Sequence, residues 1–369
     1  MKRILHILPS LNSGGVEQAL LDLATEMRHQ NWPVFVASSG GFLQAQLEQL
    51  GCIHETLPLS CKTPLQLYKN SKNLENIIQK HSIQLLHVHS RAPAWSALWA
   101  SRKCGIPMIS TFHGVYNTQN SLKKLYNSGM VRGEKTIAIS QFVANHIQHV
   151  YGDLNPSVIT IPEGIDTEKF NLKNVNDLLV QDFRRQWQVH DQKVILLPGR
   201  LTRWKGQSVL LKALRHINTS NLQVVLMGDA QGRTAYQEEL KELAAGLPVH
   251  FAPPTSFMPE AYAASDYVIN CSTDPEAFGR VTAEAMAMER IYIGTNHGAT
   301  PEMCIDHKTG LLVPPAEPER LADTLEKALN FSNDVKKKMG QQARRHVDQH
   351  FSLKHMVKET LGVYESFSL

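Results

Sequence analysis

Val194-Ile195-Leu196-Leu197-Pro198-Gly199-Arg200-Leu201-Thr202-Arg203-Trp204-Lys205-Gly206 carries the architecture in miniature. A short apolar run ends in a glycine-bearing turn rich in cations, and an amphipathic stretch, Gln207–Ile217, follows. A continuous apolar run bounded by turn signals is expected of a parallel strand covered on both faces. The strand, loop and helix unit recurs outward from there. Further strands are expected at Leu222–Met227, Val249–Phe251, Tyr267–Cys271 and Ile291–Gly294, with helices at Thr234–Ala245, Val281–Met288 and Pro318–Leu329. The first half repeats the pattern, with strands at Ile4–Leu8, Val34–Ala37, Ile83–His89, Met108–Phe112, Thr136–Ile139 and Val158–Ile161. Val16, Leu20, Leu23, Ala24 and Met27 share one helical face, and Pro64–Lys80, Ala92–Cys104 and Gln141–Val150 read as helices too. Such alternation predicts an α/β chain with a parallel sheet and right-handed crossovers in each half.

At 369 residues the chain is too long for one ordinary core. The polar, mixed stretch Asn171–Val189 suggests the division: residues 1–175, then 176–349, with a helix at about 350–369 packing back on the first part. Two doubly wound, Rossmann-like domains put their ligand loops at the carboxyl ends of the strands, facing an inter-domain cleft. A hydrophobic content of 42% with 22 Gly and 18 Pro excludes disordered, collagen-like and mucin-like chains. No run of 18 apolar residues exists, so no membrane-spanning helix is expected. Met1-Lys2-Arg3 leads straight into a short strand without the core and cleavage site of a signal peptide. A net charge of +4 is too mild for nucleic acid and leaves an anionic substrate or an anionic membrane surface as partners. Five cysteines with no C-x-x-C spacing suit free thiols in a reducing cytosol, hence a cytoplasmic protein, possible contact being at the inner face of the membrane.

Three loops carry the chemistry. After the first strand, Gly14-Gly15 opens a helix, where backbone can approach a ligand and free N–H groups favour an anion; a plain turn is the alternative. The spacing is not the G-x-G-x-x-G dinucleotide pattern. In the second loop Arg200, Arg203 and Lys205 crowd ahead of a helix, which suits a diphosphate. In the third, Glu276 precedes a helix start formed by Phe278, Gly279, Arg280 and Val281, and Glu284 stands about one turn in. Carboxylates beside an anion site make sense as acceptors for hydroxyls flanking that anion, a sugar on one side and a ribose on the other.

Glu276-Ala277-Phe278-Gly279-Arg280-Val281-Thr282-Ala283-Glu284 resembles the E-x7-E signature of retaining glycosyltransferases of family 4, the group 1 enzymes with the GT-B fold. Gly14-Gly15-Val16-Glu17 resembles that family's N-terminal glycine loop, and Thr111-Phe112-His113-Gly114 its T-x-H-G segment. Gly199-Arg200-Leu201 with Lys205-Gly206, and Thr309-Gly310-Leu311-Leu312-Val313, match two more of its segments in order. The resemblance implies that Arg200 and Lys205 bind the donor diphosphate and that Glu284 accepts from the ribose hydroxyls. Glu276 would hold the sugar hydroxyls with the N–H groups of Phe278 and Gly279, beside Arg280 and Val281 at the helix start. His113 would sit by the transferred sugar, and Gly14 and Gly15 would let the first loop close over sugar and phosphate. His113, Glu276, Arg200 and Lys205 are thus the candidate catalytic residues. Two departures stand out: Glu163 occupies a position where the family often has Asn, and the F-x-G turn near the base is Phe251-Ala252-Pro253-Pro254 here.

The implied function is retaining transfer of a sugar from a UDP- or GDP-linked donor to a glycan or lipid-linked acceptor, in polysaccharide or lipopolysaccharide assembly. No D-x-D occurs, so the reaction is expected to need no metal or other cofactor, with cations and helix N-termini meeting the leaving charge. His87-Val88-His89 puts two imidazoles on one strand face, a zinc-like pair with no third ligand evident in the sequence; hydrogen-bonded histidines are the plainer reading. Ser121–Gly133 mixes Lys123, Lys124 and Arg132 with Leu122, Leu125, Tyr126 and Met130, either an amphipathic patch for an anionic membrane or a solvated helix edge. Two rival functions remain: a nucleotide-sugar isomerase (epimerase) on the same fold, and a catalytically inert nucleotide-sugar-binding subunit.

Overall fold

The computed structural model describes residues 1–12, 14–118 and 120–367; residue 13 of the first glycine loop and the last two positions of the expected C-terminal stretch lie outside the described residues. The chain forms two compact units: Met1–Gly164 together with the stretch from Leu353 onward, and Ile165–Ser352.

The first unit is built on seven parallel strands: β1 (Ile4–Ile7), β2 (Val34–Ser38), β3 (Ile53–Thr56), β4 (Leu85–Val88), β5 (Met108–Phe112), β6 (Lys135–Ala138) and β7 (Val158–Thr160). Their order is β3-β2-β1-β4-β5-β6-β7. Every residue of β1, β2, β4 and β5 is buried, as continuous apolar runs require of strands covered by helices on both faces. The order reverses between β1 and β4, where His6 lies in register with His87. The helix Gly15–His29 buries Leu20, Leu23, Ala24 and Met27 on the sheet, and the helix Leu353–Glu365 adds Met356, Val357, Leu361 and Tyr364 to the same core.

The second unit holds six parallel strands: β8 (Lys193–Pro198), β9 (Leu222–Met227), β10 (Val249–Ala252), β11 (Tyr267–Asn270), β12 (Ile291–Thr295) and β13 (Leu311–Val313). Their order is β10-β9-β8-β11-β12-β13, so the reversal falls between β8 and β11. The first and last segments of this unit meet: Ile165 N–H donates to Phe351 O at 2.9 Å, and the Arg344 guanidinium bonds the carbonyls of Thr167, Phe170 and Ala287.

Periodicity did not reveal several elements. β3 is an edge strand, Ile-His-Glu-Thr, with no residue fully buried and therefore no apolar run to betray it. The polar stretch read as a boundary contains the helix Asp177–Gln186, capped by Asn176, whose side chain accepts from Leu178 N–H at 3.0 Å. A short apolar stripe, Leu179, Val180 and Phe183, continues into the buried Trp187, which packs against Phe183. All five cysteines are free, with Cys52, Cys271 and Cys304 buried. No helix among the described residues is long and apolar enough to cross a membrane.

Candidate functional site

In open α/β sheets ligands bind outside the carboxyl ends of the strands where the order reverses. In the second unit that place is the end of β8 and β11, and the two cation- and carboxylate-bearing loops leave from those strands. Gly206 ties them together. Its φ of +71 is left-handed, and a Cβ there would lie 1.9 Å from the Cys271 carbonyl oxygen, so only glycine allows the contact. Thr273 N–H also donates to Trp204 O at 2.7 Å.

That fastening brings Lys205 onto Glu276, Nζ to Oε1 at 2.5 Å, with both side chains largely buried. Ser272 Oγ lies 2.7 Å from the same oxygen and Asn270 Nδ2 donates to it at 3.4 Å. A group expected on a diphosphate and one expected on a sugar are therefore each other's partners in the free protein. Arg200 is exposed at the mouth of its loop, while its carbonyl accepts from the buried Gln207 amide at 2.9 Å. Arg203, the third cation of the run, faces away: it pairs bidentately with Glu239 at 3.0 and 2.6 Å and lies over the Tyr236 ring.

The helix Arg280–Ala287 begins at Gly279, so its first N–H groups, at Arg280 and Val281, lie next to Glu276's loop, with Phe278 buried beneath. Glu284 is buried within it. Tyr262 O–H donates to Glu284 Oε2 at 2.9 Å, and Arg280 Nε stands 3.6 Å from Oε1. Burial, and then the Glu284 charge, push the Tyr262 hydroxyl well above its usual range, so it stays a donor. A cavity of about 260 Å³ opens at the ends of β9 and β10, lined among others by Met227, Ala252, Pro253 and Pro254.

The first unit has its own cluster at its reversal point. His113, just past β5, donates or accepts at both ring nitrogens: Nδ1 to Glu163 Oε1 at 2.7 Å and Nε2 to His89 Nδ1 at 3.2 Å. His89 Nε2 meets His6 Nδ1 at 3.0 Å. His87 is held by Tyr364 O–H at 2.6 Å and Thr111 Oγ1 at 2.7 Å. The sheet thus supplies the third imidazole that the sequence did not show, His6, with ligating atoms of His6, His87 and His89 within 4.8 Å of one another. The ring nitrogens are taken up by neighbours, apart from His6 Nε2. Desolvation lowers His6 to about 3 and drives His87 and His89 well below the usual range, so all three are neutral.

Gly14 and Gly15 open the helix Gly15–His29 without a left-handed backbone. A Cβ on Gly14 would meet only the flexible carboxyl end of Glu17, and one on Gly15 would meet nothing. Neither turn geometry nor packing demands glycine there. Reasoning from sequence missed Ser272, Asn270, Tyr262 and His6 as partners of site groups; the one available signal was Asn270, a polar residue closing an apolar strand.

Residues 13–169 match the family described as Glycosyltransferase Family 4, and residues 180–346 match glycosyl transferases group 1. The chain is similar to a glycosyltransferase from Rickettsia africae ESF-5, whose crystal structure has a TM-score of 0.92 at 32% identity over 99% of this chain and 98% of that one. It is similar in fold to Anabaena Alr3699/HepE, solved in complex with UDP-glucose, with a TM-score of 0.85 at 23% identity and full coverage of both chains (100% each). Among curated proteins, the D-inositol 3-phosphate glycosyltransferase of Corynebacterium glutamicum (strain R) is 26% identical over 378 residues, 91% of this chain and 88% of that protein.

Proposed function

The chain belongs to the group 1 glycosyltransferases of family 4, with their GT-B architecture of two doubly wound units, and from that membership we propose that it is a retaining, metal-independent transferase of sugar from a nucleotide-diphosphate donor. The observation that carries this reading is the junction at the β8/β11 reversal, where Lys205 and Glu276 meet and the same β8 loop leaves Arg200 exposed. Arg200 and Lys205 take the diphosphate, Glu284 the ribose hydroxyls, and Glu276 the sugar hydroxyls with the N–H groups of Phe278 and Gly279. Arg280 and Val281 add the positive end of the helix. The base lies at the Ala252–Pro254 wall of the neighbouring cavity. His113 stands by the sugar, and Gly14 and Gly15 let the first loop close over sugar and phosphate.

The leaving diphosphate gains charge as the sugar–oxygen bond breaks. Cations and N–H groups held against the bound diphosphate stabilise that charge. Arg200→Ala removes one charge-assisted hydrogen bond, worth about 1.5–3 kcal/mol, and should slow transfer roughly 10- to 100-fold. A fully active enzyme in EDTA is expected.

The donor is read as a UDP-hexose in the first instance, since a protein of the same fold was solved with UDP-glucose. The acceptor is a glycan or a lipid-linked saccharide of envelope polysaccharide assembly, reached from the cytoplasmic side. The helix Ser121–Asn127 leaves Leu122 and Leu125 exposed beside Lys123, which favours peripheral contact with anionic lipid. Liposome co-sedimentation at low salt tests that contact.

Thermal shift with UDP, GDP and ADP tests the donor site. A ligand at 100 times its Kd stabilises the native state by about 2.7 kcal/mol. One nucleotide diphosphate should raise Tm clearly, and Lys205→Ala should cut the rise to about half or less at the same concentration. No response to millimolar nucleotide would refute the site. Release of free nucleotide diphosphate with a glycosylated acceptor separates transfer from isomerisation and from inert binding.

A further inference from the structure

His6, His89, His113 and Glu163 form one buried row across the ends of β1, β4 and β5 and the segment after β7. The contacts run His6 Nδ1 to His89 Nε2 at 3.0 Å, His89 Nδ1 to His113 Nε2 at 3.2 Å, and His113 Nδ1 to Glu163 Oε1 at 2.7 Å. The side chains of His113 and Glu163 are each 8% exposed, and His6 and His89 are buried.

Proton accounting gives the row a direction. An ionised carboxylate only accepts, so the His113 proton is on Nδ1 and its Nε2 is a lone pair. That lone pair accepts from His89 Nδ1–H, and His89 Nε2 accepts from His6 Nδ1–H. The series leaves one lone pair over, at His6 Nε2, and that buried atom has no partner among the described residues. The opposite order needs either a protonated Glu163 or a doubly protonated His113, and in both cases it buries an unpaired N–H at His6, which costs more than an unpaired lone pair.

We infer that Glu163 is a positioning residue for the transfer reaction: acting through His113, it fixes one tautomer along the imidazole row and sets a negative charge behind the ring that faces the sugar. The inference rests on the reading of His113 as the neighbour of the transferred sugar. As the bond between sugar C1 and the diphosphate oxygen breaks, its electron pair leaves with the diphosphate and positive charge builds on the sugar ring. The acceptor oxygen then bonds C1, and its proton passes to the departing diphosphate. A fixed anion one imidazole away stabilises the positive ring, and a neutral His113 does not oppose it. An Asn at this position would hold the same place without a charge to supply.

The test uses the full chain with 15N-labelled histidine, in wild type, Glu163→Gln and Glu163→Asp, together with His113→Ala. Gln matches Glu in shape and can still bond His113, so packing is kept while the charge is lost. Long-range 1H–15N spectra should show His6, His89 and His113 protonated on Nδ1 in wild type, and mixed tautomers in Glu163→Gln. Nucleotide release is read with the fastest donor among UDP-glucose, UDP-galactose, UDP-N-acetylglucosamine and GDP-mannose. For Glu163→Gln, kcat should fall about 10- to 100-fold with donor KM changed less than about threefold, and Glu163→Asp should recover most of it. Wild-type rings protonated on Nε2, or tautomers indifferent to Glu163→Gln, would overturn the inference. Unchanged kcat in Glu163→Gln while His113→Ala loses activity would overturn it too and leave the proposed function standing. Unchanged kcat in both variants would overturn the placement of the sugar at His113 as well.

Discussion

Glu276 is held in the free protein by Lys205, the cation it is meant to work beside. The pair neutralises the site before any donor arrives, and a diphosphate must compete with the carboxylate for Nζ. The two halves of the pair should therefore respond oppositely to removal. Lys205→Ala deletes a charge-assisted bond to phosphate and leaves the carboxylate to repel it; nucleotide-diphosphate affinity should drop roughly 10- to 100-fold. Glu276→Gln frees Lys205 and should bind nucleotide diphosphate at least as tightly as wild type, while transfer falls about 10- to 100-fold because the sugar loses its acceptor. Calorimetry beside turnover assays resolves the two, and weaker nucleotide binding by Glu276→Gln would contradict this account. The buried histidines make a second residue-level prediction. With His6 lowered to about 3 and His87 and His89 also depressed, the unfolded chain takes up protons near pH 6.5 that the folded one refuses. Stability is full above that pH and is lost as pH falls toward the folded values. Each group steepens the loss by up to about 1.4 kcal/mol per pH unit. Urea titrations between pH 7.5 and 5 should show this slope, and His6→Leu should flatten it by one proton.

At the scale of elements, legibility follows burial. Strands such as Met108–Phe112 and Leu222–Met227 announce themselves because both faces are covered and every residue can be apolar. The edge strand Ile53–Thr56 answers to solvent on much of its surface, so its sequence carries little pattern; the helix Asn333–His350 is mostly polar and shows only a thin stripe, Met339, Ala343 and Val347, on its buried side. The site divides the same way. Arg200, Lys205, Glu276 and Glu284 are readable because each follows a legible strand at short range. Glu163 and His113 are 50 positions apart and His6 and His89 are 83 apart, so only sheet order brings them together. The Arg200–Gly206 loop adds a prediction of its own. Gly206→Ala places a Cβ 1.9 Å from Cys271 O on a left-handed backbone. Strain and overlap should each cost about 1–3 kcal/mol. The loop must lift off β11, carrying Lys205 from Glu276, so nucleotide affinity should fall further than the melting temperature alone implies. Calorimetry below Tm measures that difference; normal affinity in a folded variant would show the contact to be dispensable.

For the whole molecule, the notable fact is that the first unit is not contiguous in sequence. The chain leaves it after Gly164, builds the whole second unit, and returns at Leu353. The returning helix puts Met356, Val357, Leu361 and Tyr364 into the first unit's core, and Lys2 Nζ donates to Tyr364 O at 2.8 Å beside the start of β1. Burying a large apolar side chain contributes about 1.5–3 kcal/mol, so these four supply roughly 6–12 kcal/mol. That is comparable to the entire stability of an ordinary domain, about 5–15 kcal/mol. Deletion of the chain beyond Ser352 also strips His87 of its Tyr364 hydroxyl. A chain ending at Ser352 should therefore lose the first unit while the second, with its own core around Ile195, Leu226 and Ile269, stays folded. Hydrogen exchange read peptide by peptide should show strands β1–β7 unprotected and β8–β13 protected. Nucleotide diphosphate should still bind, since Arg200, Lys205, Glu276 and Glu284 all belong to the surviving unit, whereas sugar transfer should be abolished. Protection retained throughout β1–β7 would mean that the returning helix is an ornament rather than a structural part of that core.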